Sequence, residues 1–330
     1  MEEIMVNGTR AIYGIYTITP LHMGTGQATG AVDLPVAREQ HTGLPVIPAT
    51  SIKGVVRDIL EGSLKKDSSL SESINEFLGP EIDKQNGLHA GGLILTEGQT
   101  LAIPFRSMNQ PFFFVTSLLV LERFDRNLRT FGINNAFSLG EFPWGLDSNK
   151  VYVPDEKLHG QMLVIEDSIF KEEEVFFSQA LKGIASKLKR FLPESEREKG
   201  TGLRFETSLV VLPDKEFLDL VSRCLPVQAR IKLTGGKTAS KWKTSEGKTE
   251  KGNLWYEESV PADSLFVFFI MNRPGVRNGK DLVGDFQRFL VDYDINLSVV
   301  QMGGNETVGY GWCWWNGLFA PNKADSEVGR

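Results

Sequence analysis

The sequence predicts an α+β chain with ferredoxin-like order. Three observations carry the prediction: a strand near the start with apolar residues on both faces, a helix with a clear apolar stripe shortly after it, and the order strand, helix, two strands, helix, strand along the chain, with insertions between the elements. Composition agrees with a globular chain: 330 residues, 41% hydrophobic and 24% charged. At this length folding buries roughly three quarters of the unfolded surface, so no disulfide or structural metal is needed to complete a core.

Over residues 10–19, Ile12, Gly14, Tyr16 and Ile18 alternate with Ala11, Tyr13, Ile15 and Thr17, which marks a central strand. A glycine-punctuated stretch, 21–34, follows, then Pro45 and Pro48. Thr50 or Ser51 can cap the next helix, where Ile52, Val55, Val56, Ile59 and Leu60 recur at helical spacing. Strands are expected at 92–95 and 101–105, and a helix over 116–131. Short strands at 151–154 and 162–166 precede an amphipathic helix over 172–191, which Pro193 stops. Residues 203–212 read as strand, 215–223 as helix and 227–234 as strand. Residues 265–271 then resume the core. A helix at 281–292, a strand at 296–302, the loop 303–307 and a strand at 308–315 complete the order. The acidic tail, 322–330, is expected to fray. An antiparallel sheet of this kind leaves one face free, and RNA-recognition modules bind single strands on such a face.

The two cysteines, Cys224 and Cys313, show no metal-binding spacing, so the chain reads as reduced and cytosolic. No apolar run reaches the ~18 residues of a membrane span, and no leader-like segment opens the chain, so a soluble, unexported protein is expected. The net charge of −6 hides a reversal: residues 230–251 carry seven basic and two acidic side chains, a local +5. That segment is either a solvated flexible loop or a projection that binds a polyanion.

Nucleotide hydrolysis and zinc proteolysis are disfavoured, because the sequence has no GxxxxGK[ST], HExxH or GxSxG motif. Gly24, Gly26 and Gly30 let the segment after the first strand fold back, so that His22 and Asp33 can converge on one ligand. In RNA cleavage the nucleophile is the substrate's own 2′-OH, aligned opposite the departing 5′-oxygen. A carboxylate can take that proton or hold a divalent ion that lowers its pKa. A histidine can move protons near neutral pH or orient a phosphate. The same spacing also fits Asp33 as a turn residue and His22 as a satisfied strand-end histidine. Lys53 and Arg57, four apart near a helix N-terminus, repel each other mildly unless a phosphate lies between them; two solvated flank residues are the alternative. Residues 302–311 join two strands through a glycine-rich backbone that includes Gly303, Gly304 and Asn305. Gly309 and Gly311, two apart, are expected on one sheet face, where another backbone can lie flat.

Taken together, these segments resemble the RAMP superfamily of CRISPR-associated proteins, most closely the repeated backbone subunit of the type III-B RNA-targeting complex. The resemblance rests on Leu21-His22-Met23-Gly24-Thr25-Gly26 followed by Gly30-Ala31-Val32-Asp33-Leu34-Pro35, on His41 to Pro48, and on Ser51-Ile52-Lys53-Gly54-Val55-Val56-Arg57. Further matches are Pro104-Phe105-Arg106-Ser107, Val120-Leu121-Glu122-Arg123, Leu254-Trp255-Tyr256-Glu257-Glu258 and the terminal glycine-rich loop. It implies one domain over 1–330: an RRM-like palm with insertions and a protruding β-hairpin thumb at about 226–262. Copies would stack along a guide RNA (crRNA) beside other subunits of the complex, with no membrane contact.

The resemblance further implies that Asp33 is needed for metal-dependent cleavage of target RNA, magnesium or manganese being the divalent ion. His22 would lie nearby, and the other catalytic candidates, Glu257 and Glu258 at the returning base of the thumb, would approach a neighbouring subunit's active site. Guide and target RNA would meet Lys53, Arg57, Gly303, Gly304 and Asn305, together with the thumb residues Lys237, Lys241 and Lys243. Relatives often carry an aromatic residue where this chain has Ser259, and the stretch 191–203 matches no feature of the family. Other readings are a purely structural crRNA-binding subunit, the smaller type III-A counterpart, and a guide-processing endonuclease. Length and the matches over 104–123 disfavour the type III-A subunit.

Overall fold

A computed structural model describes residues 10–26, 30–63, 70–80, 90–133, 149–232, 242–243, 249–250, 254–275 and 280–320. The chain opens with β1 (Arg10–Thr17), β2 (Val46–Ile47), α1 (Ala49–Ser63) and α2 (Leu70–Leu78). Next come β3 (Leu93–Leu95), β4 (Gly98–Arg106), β5 (Phe112–Ser117) and α3 (Leu118–Thr130). An insertion supplies β6 (Val151–Val153), β7 (Leu163–Ile165), β8 (Ser168–Phe170), β9 (Val175–Phe177), α4 (Gln179–Leu188), α5 (Glu194–Arg197) and α6 (Gly200–Ser208). It is followed by β10 (Leu209–Leu212), α7 (Asp214–Arg223), β11 (Val227–Ile231), β12 (Trp242–Lys243), β13 (Thr249–Glu250) and β14 (Leu254–Glu258). The chain returns through β15 (Leu265–Asn272), α8 (Leu282–Asp292), β16 (Val299–Gln301) and β17 (Trp312–Ala320).

The main sheet runs β16-β17-β1-β15-β4-β5-β10-β6-β9, with β2 on β4 and β3 on β15. It is wider than the sequence predicts and mixed, because β5 pairs parallel with β10 and β6 parallel with β9. β1 is central as expected, antiparallel to both β15 and β17, and both of its faces are buried. Its first helix matches too, with Ile52, Val56 and Leu60 of α1 turned into the core.

The expectation of a free sheet face is not met at β1. On one face Tyr13 stacks on Phe268 with ring centroids 5.2 Å apart. On the other, Gly14 lies against Phe191, so closely that a Cβ at position 14 would sit 2.3 Å from the Phe191 Cβ. Phe191 follows α4, and it comes from the very stretch that carried no family feature. The insertion therefore plugs the face that a bare RNA-recognition module would leave open.

Several element boundaries differ from the sequence reading. Residues 172–191 are not one helix: a 3-10 turn and β9 come first, and the Ser178 hydroxyl accepts the Leu181 N–H to start α4 at residue 179. Residues 203–208, expected as strand, belong instead to α6, because helical spacing buries Gly202, Phe205 and Ser208; only the four-residue apolar run 209–212 pairs as strand. Residues 112–117 form β5, so α3 starts two residues later than expected, and α2 was not anticipated. Gly309 and Gly311 do not share a sheet face: residues 306–308 form a 3-10 turn, both glycines are left-handed, and β17 starts at Trp312. The 322–330 tail lies outside the described residues. Both cysteines are free, Cys313 deep in the core.

Candidate active site and nucleic-acid interface

β14 is the spine of the candidate site. On one side it pairs antiparallel with β11, Val227 opposite Glu258 through Ile231 opposite Leu254, and two further pairs join β12 to β13. The segment expected to form a thumb is thus a β-hairpin at its described residues. On its other side β14 meets the glycine-punctuated loop: the Leu34 N–H donates to the Tyr256 carbonyl at 3.0 Å and the Glu258 N–H donates to the Leu34 carbonyl at 3.0 Å. This parallel bridge brings Asp33 to the strand, where its Oδ2 accepts the Tyr256 N–H at 2.7 Å. Asp33 is exposed, and among the described residues no other hydrogen bond engages it. One carboxylate oxygen is fixed and the other is unbonded among the described residues.

His22 reaches the same strand from the end of β1. Leu21 and Val260 exchange backbone hydrogen bonds of 2.9 and 2.8 Å, and His22 Nδ1 lies 2.7 Å from the Glu258 carbonyl. A carbonyl only accepts, so Nδ1 carries the proton and Nε2 of the neutral ring keeps a lone pair. Gly24 presses on that nitrogen; a Cβ there would lie 2.6 Å from Nε2. The terminal loop closes over the histidine. Gly304 donates its N–H to the His22 carbonyl at 2.9 Å, and a Cβ on left-handed Gly303 would sit 2.5 Å from the same oxygen. Close approach to His22 is thus one physical reason for these glycines.

The acidic pair divides. Glu257 is buried and pairs with Arg230 at 3.3 Å and with the side-chain amide of Asn305, which is itself left-handed. Arg230 lies over the Tyr310 ring at 4.9 Å, and the Tyr310 hydroxyl donates to Gln228 at 2.8 Å, so the terminal loop grips the base of the hairpin. Glu258, also buried, turns the other way: its Oε2 accepts the Val36 N–H at 3.0 Å and its Oε1 meets Arg38 at 2.5 Å. Arg38 and Tyr310 were given no role from sequence, and Arg230 only as one charge of the basic run; their partners are brought to them by strand pairing and no local spacing announces them.

His22, Asp33, Glu257, Glu258, Gly303, Gly304 and Asn305 therefore form one connected group. Lys53 and Arg57 sit apart on α1. Partial burial, followed by the neighbouring Arg57 charge, holds the Lys53 ammonium below the usual lysine range. Arg57 is engaged internally by Glu61 at 3.0 Å and by the Gly79 carbonyl. Lys243 lies in β12, while Lys237 and Lys241 fall outside the described residues.

Among the described residues, no group of three or more His, Cys, Asp or Glu side chains is placed to hold a metal ion. A resident ion caged by protein ligands does not fit. A hard cation shared between one carboxylate, water and RNA phosphate oxygens does fit Asp33, with its one free oxygen. No helix among the described residues is long and apolar enough to cross a membrane.

A family model for the RAMP superfamily matches residues 14–314, and the chain belongs to that superfamily. Within it, the chain is 32% identical over 309 residues to the CRISPR system Cmr endoribonuclease Cmr4 of Pyrococcus furiosus, covering 91% of this chain and 93% of that protein. The fold is similar to that of oligomeric Cmr4 from Pyrococcus furiosus, with a TM-score of 0.65 and 26% identity over 96% of this chain and all of the other. It is also similar to a chain of the type III-B Cmr-beta complex bound to cognate target RNA, with a TM-score of 0.70 and 20% identity over 94% of this chain and 98% of the other.

Proposed function

We propose that the chain is a backbone subunit of a type III-B CRISPR ribonucleoprotein, binding crRNA along its phosphates and cleaving complementary target RNA. The observation that carries this reading is the exposed Asp33 carboxylate, fixed by one oxygen to Tyr256 of β14, the same strand whose Glu258 carbonyl sets the tautomer of His22. In this reading the free Asp33 oxygen either accepts the proton of the target's 2′-OH or holds a divalent ion that makes that hydroxyl more acidic. The 2′-oxygen attacks phosphorus in line with the 5′-oxygen, which departs taking a proton from water. His22 Nε2 orients the phosphate or carries a proton, and Glu257 holds Asn305 and Arg230 in place around it. Magnesium or manganese held by Asp33 would supply charge neutralisation and a more acidic 2′-OH.

The order β17-β1-β15-β4, with α1 after β1 and α8 after β15, supports a ferredoxin-like palm, and the β11–β14 hairpin supports a thumb. Wedging such a hairpin between bases costs a few kcal/mol per step and distorts the duplex, which exposes linkages to in-line attack. Copies stacked head to tail make a heterologous contact that does not close, so RNA and the other subunits of the complex would limit its length. Sequence choice belongs to base pairing.

Asp33→Asn keeps an oxygen for the Tyr256 N–H but removes the charge. In the reconstituted complex it is expected to slow target cleavage by about a hundredfold or more while guide and target binding stay unchanged. Undiminished cleavage would return Asp33 to a turn residue. That is the second reading, a purely structural crRNA-binding subunit, which the same Asp33–Tyr256 hydrogen bond also supports. Assaying cleavage with and without divalent ions separates the two.

A further inference from the structure

We infer that Glu258 is a positioning residue and not a proton carrier: with Arg38 it forms a buried clamp that holds the Asp33 segment against β14 and, through its own carbonyl, sets the His22 ring. The inference rests on the cleavage reading above and assigns the two neighbouring glutamates different work.

Both Glu258 carboxylate oxygens are already engaged within the protein. Oε2 accepts the Val36 N–H at 3.0 Å, three residues beyond Asp33, and Oε1 meets the Arg38 guanidinium at 2.5 Å. The side chain is only about 9% exposed, leaving little surface for RNA. Arg38 is equally committed. It donates to the Gly43 carbonyl at 2.7 Å and to the Val221 carbonyl at 3.3 Å, which ties the loop to the end of α7 as well as to β14. A buried carboxylate with a separate donor on each oxygen is a fixed anchor, and removing Glu258 or Arg38 leaves the other without its opposite charge.

The backbone of the same residue completes the device. The Glu258 N–H donates to the Leu34 carbonyl, next to Asp33, while its carbonyl accepts from His22 Nδ1 at 2.7 Å. One residue thus touches the segment carrying the carboxylate three times, at Leu34, Val36 and Arg38, and the histidine once. A displacement of about 1 Å at such a centre costs on the order of a hundredfold in rate without any loss of a reacting group.

The test uses the assembled complex with single-turnover cleavage of a complementary RNA, measured across pH. Glu258→Gln, Arg38→Met and the double variant are compared, with RNA binding and thermal melting followed in parallel. The charge-neutral double variant guards against misfolding caused by an unpaired buried ion. The expectation is that each single variant slows cleavage by about tenfold or more, that the double is no slower than the worse single, and that binding and the midpoints of the pH–rate profile stay in place. Multiplying effects, a lost limb of the pH profile in Glu258→Gln, or full-rate cleavage by Arg38→Met would each overturn the clamp. Wild-type complex that binds target yet never cuts it would instead overturn the cleavage reading, and the clamp's role in it.

Discussion

Lys53 and Arg57 read alike in the sequence, yet their surroundings give them different work. Arg57 is held by Glu61 and the Gly79 carbonyl, whereas Lys53 has a depressed pKa that a bound phosphate would restore. Lys53→Ala is expected to reduce the salt slope of guide binding by about one and leave the melting temperature unchanged. Arg57→Ala should cost about 1–3 kcal/mol in a denaturant titration, through the charged hydrogen bond to Gly79. Glu39 offers a pH signature. Burial pushes its carboxyl up, but the hydrogen bonds from Arg123, at 2.7 and 2.8 Å, and from Thr42 more than offset this and leave it below the ordinary 4.5. A carboxyl depressed on folding stabilises the native state above its unfolded pKa, and that contribution disappears as pH falls through the folded value. Glu39→Gln should therefore be less stable than wild type at neutral pH, with the gap closing below about pH 4.5 in urea melts.

The contact between Gly14 and Phe191 decides what kind of sheet this is, because it joins the central strand to an inserted element. Gly14→Ala places a methyl 2.3 Å from the Phe191 Cβ, an overpacking expected to cost about 1–3 kcal/mol. A Phe191→Ala background removes the ring atoms at 2.6 and 2.8 Å but keeps the Cβ at 2.3 Å, so the Gly14→Ala penalty should shrink without vanishing; fully additive penalties in chemical denaturation would contradict the packing account. β1 and α1 were legible because their patterns are local: alternation with both faces apolar, and a stripe at helical spacing. The 172–191 segment misled for the same reason. Its apolar spacing continues across Val175 and Phe177, and only pairing with β6, residues 151–153, makes a strand of them.

At the scale of the whole molecule, the proposed function assigns RNA contact to the stretch of reversed charge, residues 230–251, in an otherwise acidic chain. Replacing Lys237, Lys241 and Lys243 together with alanine should lower the salt slope of RNA binding by about two to three and slow target cleavage, while the melting temperature stays constant. An unchanged slope would make the segment a solvated loop. The candidate site was partly legible. The glycines after β1 announce a loop that folds back, and His22 and Asp33 do reach a common strand. The clamp by Arg38 and the grip of Arg230 and Tyr310 on the hairpin base were not legible, since the Arg38–Glu258 pair spans 220 positions, Tyr310–Gln228 spans 82, and even the 27 positions of Arg230–Glu257 are closed only by the β11–β14 pairing, none of which leaves a periodic trace.

By itself the sequence determined the central strand, the first helix, the permissive loops and the basic insertion, because alternation, helical stripes, glycine content and charge all act over a few neighbouring residues. Tertiary structure alone decided that Phe191 closes a sheet face. It alone decided too that His22 finds its carbonyl 236 positions away and that the two adjacent glutamates face opposite partners. These outcomes depend on which strands lie side by side, and strand pairing is set by the packing of the whole core.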